Sequence, residues 1–131
     1  MSVIHLIGVL EDGTNPTDPS VPVNPRAELA IIKATSCQVV LKVTGRNGLP
    51  IAPVGTLTMT VKQKPGDEPA LAQLSGTWAP MLGPGTAIFG WASTTMRDSP
   101  WGRYVYDIRL VNGSEVNMVV PASPFRLSPA V

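Results

Sequence analysis

A reaction needs suitable side chains at suitable spacing, and this sequence offers few. A nucleophilic site of the Ser–His–Asp or Cys–His kind needs an imidazole within reach of the nucleophile. The one histidine is His5 and the one cysteine is Cys37. His5 falls in an apolar N-terminal run, and Cys37 lies on the apolar side of an alternating segment, where it reads as a small buried hydrophobe. One His with one Cys also falls short of the three or four ligands that zinc requires. The acidic pairs Glu11-Asp12, before Gly13, and Asp67-Glu68, beside Pro65-Gly66, have the setting of solvated turns rather than calcium sites. Gly83-Pro84-Gly85 lacks the lysine and the following helix of a phosphate loop. Asn112-Gly113-Ser114 has the form of a glycosylation sequon and reads better as a hairpin turn. Of the three tryptophans, Trp91 reads as core. Trp78 and Trp101 lie in loops and are candidates for a protein interface, with a bound glycan as the alternative. No catalytic, metal-binding or cofactor-binding residue is expected, and the chain reads as a protein that is not an enzyme and has no small-molecule substrate.

Something other than a reactive site must therefore explain the rest of the composition. With 131 residues the chain can bury one core. Charged residues make up only 15%, while Pro (14) and Gly (12) are abundant. That balance suits many short strands joined by tight turns, and a surface partly covered by neighbours, since free monomers usually carry more charge. The net charge of +1 leaves no electrostatic footprint for nucleic acid or an anionic membrane. No apolar run is long enough to span a bilayer. The apolar start has no Lys or Arg before it, so a signal peptide is not expected. A lone cysteine excludes an internal disulfide.

Period-two patterning dominates from residue 29 onward. Cys37, Val39, Leu41 and Val43 alternate with Gln38, Val40, Lys42 and Thr44, the mark of a half-buried strand. Asn47-Gly48 follows as a turn signal. Leu57, Met59 and Val61 alternate with threonines and Lys62, residues 86–93 form a further strand, and Tyr104, Tyr106, Ile108 and Leu110 alternate with Arg103, Val105, Asp107 and Arg109. Asn112-Gly113 turns the chain into residues 115–120, and Phe125 and Leu127 mark a separate short last strand. No helix is expected beyond one turn within residues 93–99. Roughly seven or eight short strands imply an all-β, immunoglobulin-like two-sheet sandwich.

Residues 1–26 differ from the sandwich expected over residues 27–131. An apolar run, residues 3–10, precedes Pro16, Pro19, Pro22 and Pro25, whose three-residue spacing favours an extended polyproline-like arm. Such an arm gains little from itself to offset the entropy of ordering. A neighbouring chain is expected to bind it, by pairing with residues 3–10 as an added strand or by accepting their side chains in a groove. The candidate interface is Val3, Ile4, Leu6, Ile7, Val9 and Leu10 of the arm with Trp78 and Trp101. Deleting residues 1–26 should then leave stability nearly unchanged.

The order of motifs resembles a known family. Asn47-Gly48-Leu49-Pro50-Ile51, then Gly102-Arg103-Tyr104-Val105-Tyr106-Asp107-Ile108, then Ser123-Pro124-Phe125-Arg126-Leu127 match the pattern of the N-terminal domain of phage baseplate upper proteins and related small immunoglobulin-like virion domains. The resemblance covers roughly residues 29–128, and its motif residues (Asn47, Gly48, Pro50, Gly102, Tyr104, Tyr106, Asp107, Phe125) are structural. It implies a bacteriophage virion structural protein of the tail, baseplate, fibre attachment or head surface, assembled in the bacterial host cytoplasm. Its expected partners are other virion proteins and further copies of itself, with no nucleic acid or membrane. A carbohydrate- or receptor-binding module using Trp78 and Trp101 is the alternative. Independently of the family, Tyr104 and Tyr106 point the same way from one strand and offer hydroxyls to tie down a crossing loop.

Overall fold

The computed structural model describes residues 2–9, 28–32, 35–45, 49–51, 54–64, 70–96 and 99–129. The alternating segments become strands: β1 Ser2–Val9, β2 Leu29–Ile32, β3 Cys37–Thr44, β4 Thr56–Lys62, β5 Ala72–Ser75, β6 Thr77–Trp78, β7 Thr86–Trp91, β8 Gly102–Asn112 and β9 Glu115–Ser128. One short 3₁₀ turn, Pro80–Leu82, lies between β6 and β7. The strands form two sheets, one ordered β1-β3-β7-β6 and the other β2-β9-β8-β4-β5. With β3, β4, β6, β7, β8 and β9 read as B, C, D, E, F and G, these are the B-E-D and G-F-C neighbours of the immunoglobulin sandwich. β5 extends the second sheet beyond C.

Burial follows the alternation. Val39, Leu41 and Val43 of β3, Leu57, Met59 and Val61 of β4, and Tyr104, Tyr106, Ile108 and Leu110 of β8 all enter one core. Phe125 of β9 lies at its aromatic centre, 5.5 Å from Trp91 and 6.3 and 6.4 Å from Tyr104 and Tyr106 between ring centroids. The Tyr104 hydroxyl donates to the Pro100 carbonyl, tying the loop ahead of β8 to that strand. This is the geometry of a tyrosine corner. Gly102 (φ 152°) starts β8. Asp107 lies on the opposite, outward side. Pro50 bridges to Thr44 behind β3, whereas Asn47 and Gly48 lie outside the described residues.

Two expectations need correction. The last strand is not separate from residues 115–120. β9 runs unbroken for 14 residues, with register shifts against β8 at Tyr106/Ile108 and Ile108/Arg109. Ile108 pairs Val120, and its neighbours Tyr106 and Arg109 pair Ser123 and Met118, so β9 carries the extra residues of two bulges. The bulges change the inward phase, which puts both Val119 and Val120 inside, and they give Pro121 a place in a strand that it could not hold in a regular ladder.

The second correction concerns the apolar N-terminal run. Ser2–Val9 pairs in parallel with β3 of its own chain, from Ser2 opposite Cys37 to Val9 opposite Thr44. Leu6 and Val9 are buried, so this part of the expected arm is a strand of the sandwich. Apolar side chains on alternate residues have a core of their own to enter, which the proline spacing downstream concealed. Residues 10–27, with Leu10 and the four prolines, lie outside the described residues.

Glycines mark two close approaches. At Gly76 the chain leaves β5 in one sheet for β6 in the other, and a Cβ there would lie 2.9 Å from the Phe89 ring. At Gly8 a Cβ would lie 2.4 Å from Val119 Cγ1 and 3.2 Å from the Val119 carbonyl oxygen. Here β1 meets the bulge of β9 at the seam of the two sheets. Gly8→Ala is therefore expected to cost about 1–3 kcal/mol, the usual cost of overpacking a tight contact. A urea-unfolding midpoint equal to wild type would show that the seam is looser than this.

Candidate assembly interface

The residues that could do chemistry are held apart. Cys37 points into the core and is 4% exposed, whereas His5 points outward from β1. In register, His5 lies opposite Val40 rather than Cys37. The two side chains thus occupy opposite faces of one sheet, an arrangement that cannot couple an imidazole to a thiol. Burial raises the Cys37 pKa above its usual value, which disfavours the thiolate. The native protein should therefore label with a thiol-reactive dye far more slowly than the urea-unfolded chain, and equal rates would place Cys37 on the surface. Among the described residues no group of three or more His, Cys, Asp or Glu could hold a metal ion. Glu11, Asp12, Asp67 and Glu68 lie outside them.

The outward faces of the two sheets differ in charge. The five-stranded sheet presents Lys62, Arg103, Asp107, Arg109 and Arg126 to the outside. Arg103 stands directly opposite Arg126, and Arg109 Nη2 lies 3.4 Å from Asp107 Oδ2. Asp107 Oδ1 is buried without a hydrogen-bond partner among the described residues. On the four-stranded sheet, the described outward positions of β1, β3 and β7 carry one formal charge, Lys42. Around it stand Val3, His5, Ile7, Gln38, Val40 and Ile88. Val3 and Ile7 are 49% and 61% exposed, and a shallow depression of about 540 Å³ runs between β1, β3 and Leu82.

The edges differ as well. β6 has 2 residues, and β2 and β5 have 4 each, while β1 has 8. Soluble proteins ordinarily shorten an edge strand or protect it with charge, proline or a bulge. The sequence of β1, SVIHLIGV, contains no proline and no Lys, Arg, Asp or Glu. Its C-terminal end abuts β9 at Gly8.

The sequence-derived interface residues therefore separate into groups. Leu6 and Val9 belong to the core and Ile4 packs partly against it, so these three side chains are directed into the chain's own sandwich. Val3 and Ile7 are exposed. Trp78 is half-buried against the core, and its indole Nε1 donates to the Gly55 carbonyl at 3.1 Å. Trp101, ahead of β8, is 66% exposed. Sequence reasoning missed Met81 and Leu82, both exposed on the 3₁₀ turn. Two adjacent large apolar residues within a Pro/Gly-rich loop were the available signal.

No protein-family model matches the chain, and no curated protein matches it in sequence. A solved structure does. The chain is similar to the N-terminal domain of phage TP901-1 ORF48. The identity is 13% and the TM-score 0.46, with 100% of each chain covered.

Proposed function

We propose that this protein is a non-enzymatic structural component of a bacteriophage virion, in the tail, baseplate, fibre attachment or head surface. It is held among other virion proteins through its four-stranded sheet. The observation that carries the assembly part is the long, charge-free edge strand β1 beside an outward face with one lysine. An apolar edge of that kind is a hazard in a free monomer and an asset where a neighbouring chain covers it. The virion part is supported by the order of turn and tyrosine motifs across residues 29–128. The five-stranded sheet, with its charges outward, is the side left to solvent.

Two double variants test this reading in a particle-assembly complementation assay. Val3→Lys with Ile7→Lys places charge on the β1 side of the four-stranded sheet and should reduce incorporation at least about tenfold, since unpaired charge in a buried contact costs several kcal/mol. Arg103→Ser with Arg126→Ser alters the opposite side and should incorporate normally. The reverse outcome would move the interface to the five-stranded sheet.

A further inference from the structure

We infer that the partner at the β1 edge is a second copy of this chain, joined by antiparallel pairing of β1 with β1 about a twofold axis. This rests on the assembly reading above. Among the described residues β1 ends its sheet and carries no formal charge, so it presents no pattern for an oppositely charged partner to complement, while an apolar segment is complementary to itself. An isologous contact also consumes both edges in one step and closes. A heterologous addition to the same edge would leave a new edge exposed.

Symmetry and side-chain chemistry select the register. Two identical antiparallel strands can centre on any one residue. Centring on His5 sets Val3 of each copy against Ile7 of the other on the outward face, and Ile4 against Leu6 on the inward face. The exposed apolar pair is thereby covered twice over. Centring on Ile4 would set Val3 against His5 and carry Ile7 past the start of the partner's β1. Centring on Leu6 would set Ile7 against His5. The His5 register thus pairs residues 3–7 of one copy with residues 7–3 of the other. The result is an eight-stranded sheet continuous through the dimer, with the two His5 side chains flanking the axis.

Single cysteine variants read this register directly, because Cys37 is buried. On the twofold axis, His5→Cys brings two thiols to cross-strand distance. Val3→Cys alone places its two copies about 13 Å apart along the strands, at about 3.3 Å per residue, beyond the roughly 7 Å Cα separation a disulfide can bridge. His5→Cys should therefore form a homodimeric disulfide under mild oxidation, Val3→Cys and Ile7→Cys should not, and a mixture of those two should cross-link with each other. Sedimentation of the wild-type protein should show a concentration-dependent dimer. Val3→Lys with Ile7→Lys should weaken that dimer on the order of a hundredfold, because like charges face each other twice. A wild-type protein that stays monomeric, or cross-linking of Val3→Cys alone in place of His5→Cys, overturns the inference. If the monomer's particle incorporation is still abolished by the two lysines, the assembly reading stands and the edge belongs to a different virion protein. If incorporation is unaffected, both fall.

Discussion

Replacing Phe125 by alanine is expected to cost about 4–6 kcal/mol, the largest single-residue effect anticipated in this protein. The transfer and cavity terms for a buried phenylalanine amount to about 3–5 kcal/mol. Phe125 is 1% exposed and sits among Trp91, Tyr104 and Tyr106. The two tyrosines meet it edge-on, at interplanar angles of 69° and 70°, a geometry that adds about 0.5–1.5 kcal/mol per pair beyond burial. The pairs share one ring, so their sum is not simply additive. A loss of that size approaches the whole stability of an ordinary domain, and the variant should be largely unfolded at 37 °C by circular dichroism. A cooperative transition within about 1 kcal/mol of wild type would mean that Phe125 is not the centre of the core; the tryptophan and tyrosines would then close over the space.

The second large effect concerns β1. Removing residues 1–9 should lower the urea-unfolding midpoint well below that of the full chain, the opposite of what a detached arm would do. Leu6 and Val9 account for about 3–6 kcal/mol of apolar burial, and their loss uncovers the Val119 side of the seam at Gly8. The ordering entropy of the strand, about 1–2 kcal/mol per residue, offsets part of this, but β3 would also lose its parallel neighbour along its full length. Increased binding of a dye for exposed apolar surface should accompany the shift. An unchanged midpoint would restore the arm and make the pairing with β3 incidental to stability.

Most of the sandwich can be read from residue order, because a half-buried strand imposes period two and β3, β4 and β8 keep it throughout. The tyrosine corner is legible for the same reason: Tyr104 and Tyr106 share a face, and Gly102 stands at the turn before them. β9 was harder. Its two bulges shift the inward phase between Val116 and Phe125, so a continuous strand reads as two short ones, and Pro121 reinforces the apparent break. β1 was misleading in another way. VIHLIGVL has apolar residues on both faces, the inward ones for its own core and the outward ones exposed, and the pattern does not say which chain supplies the neighbour. β1 and β3 pair in parallel although residues 10–36, β2 among them, separate them in sequence, and nothing in the residue pattern announces that topology. Of the candidate interface residues, Val3 and Ile7 are exposed on the outward face of β1, while the contrast in charge between the two outward faces appears only once the sheets are assigned.

Amide hydrogen exchange, compared between the free protein and the assembled particle, tests the central claim most directly. Assembly through the β1 edge should slow exchange in Ser2–Val9, whose edge-facing amides gain partners, and leave Leu29–Ile32 and Ala72–Ser75 at the edges of the other sheet unchanged. Protection that appears along Ala72–Ser75 or across Gly102–Asn112, with β1 exchanging as fast in the particle as in solution, would contradict the account and assign assembly to the charged sheet.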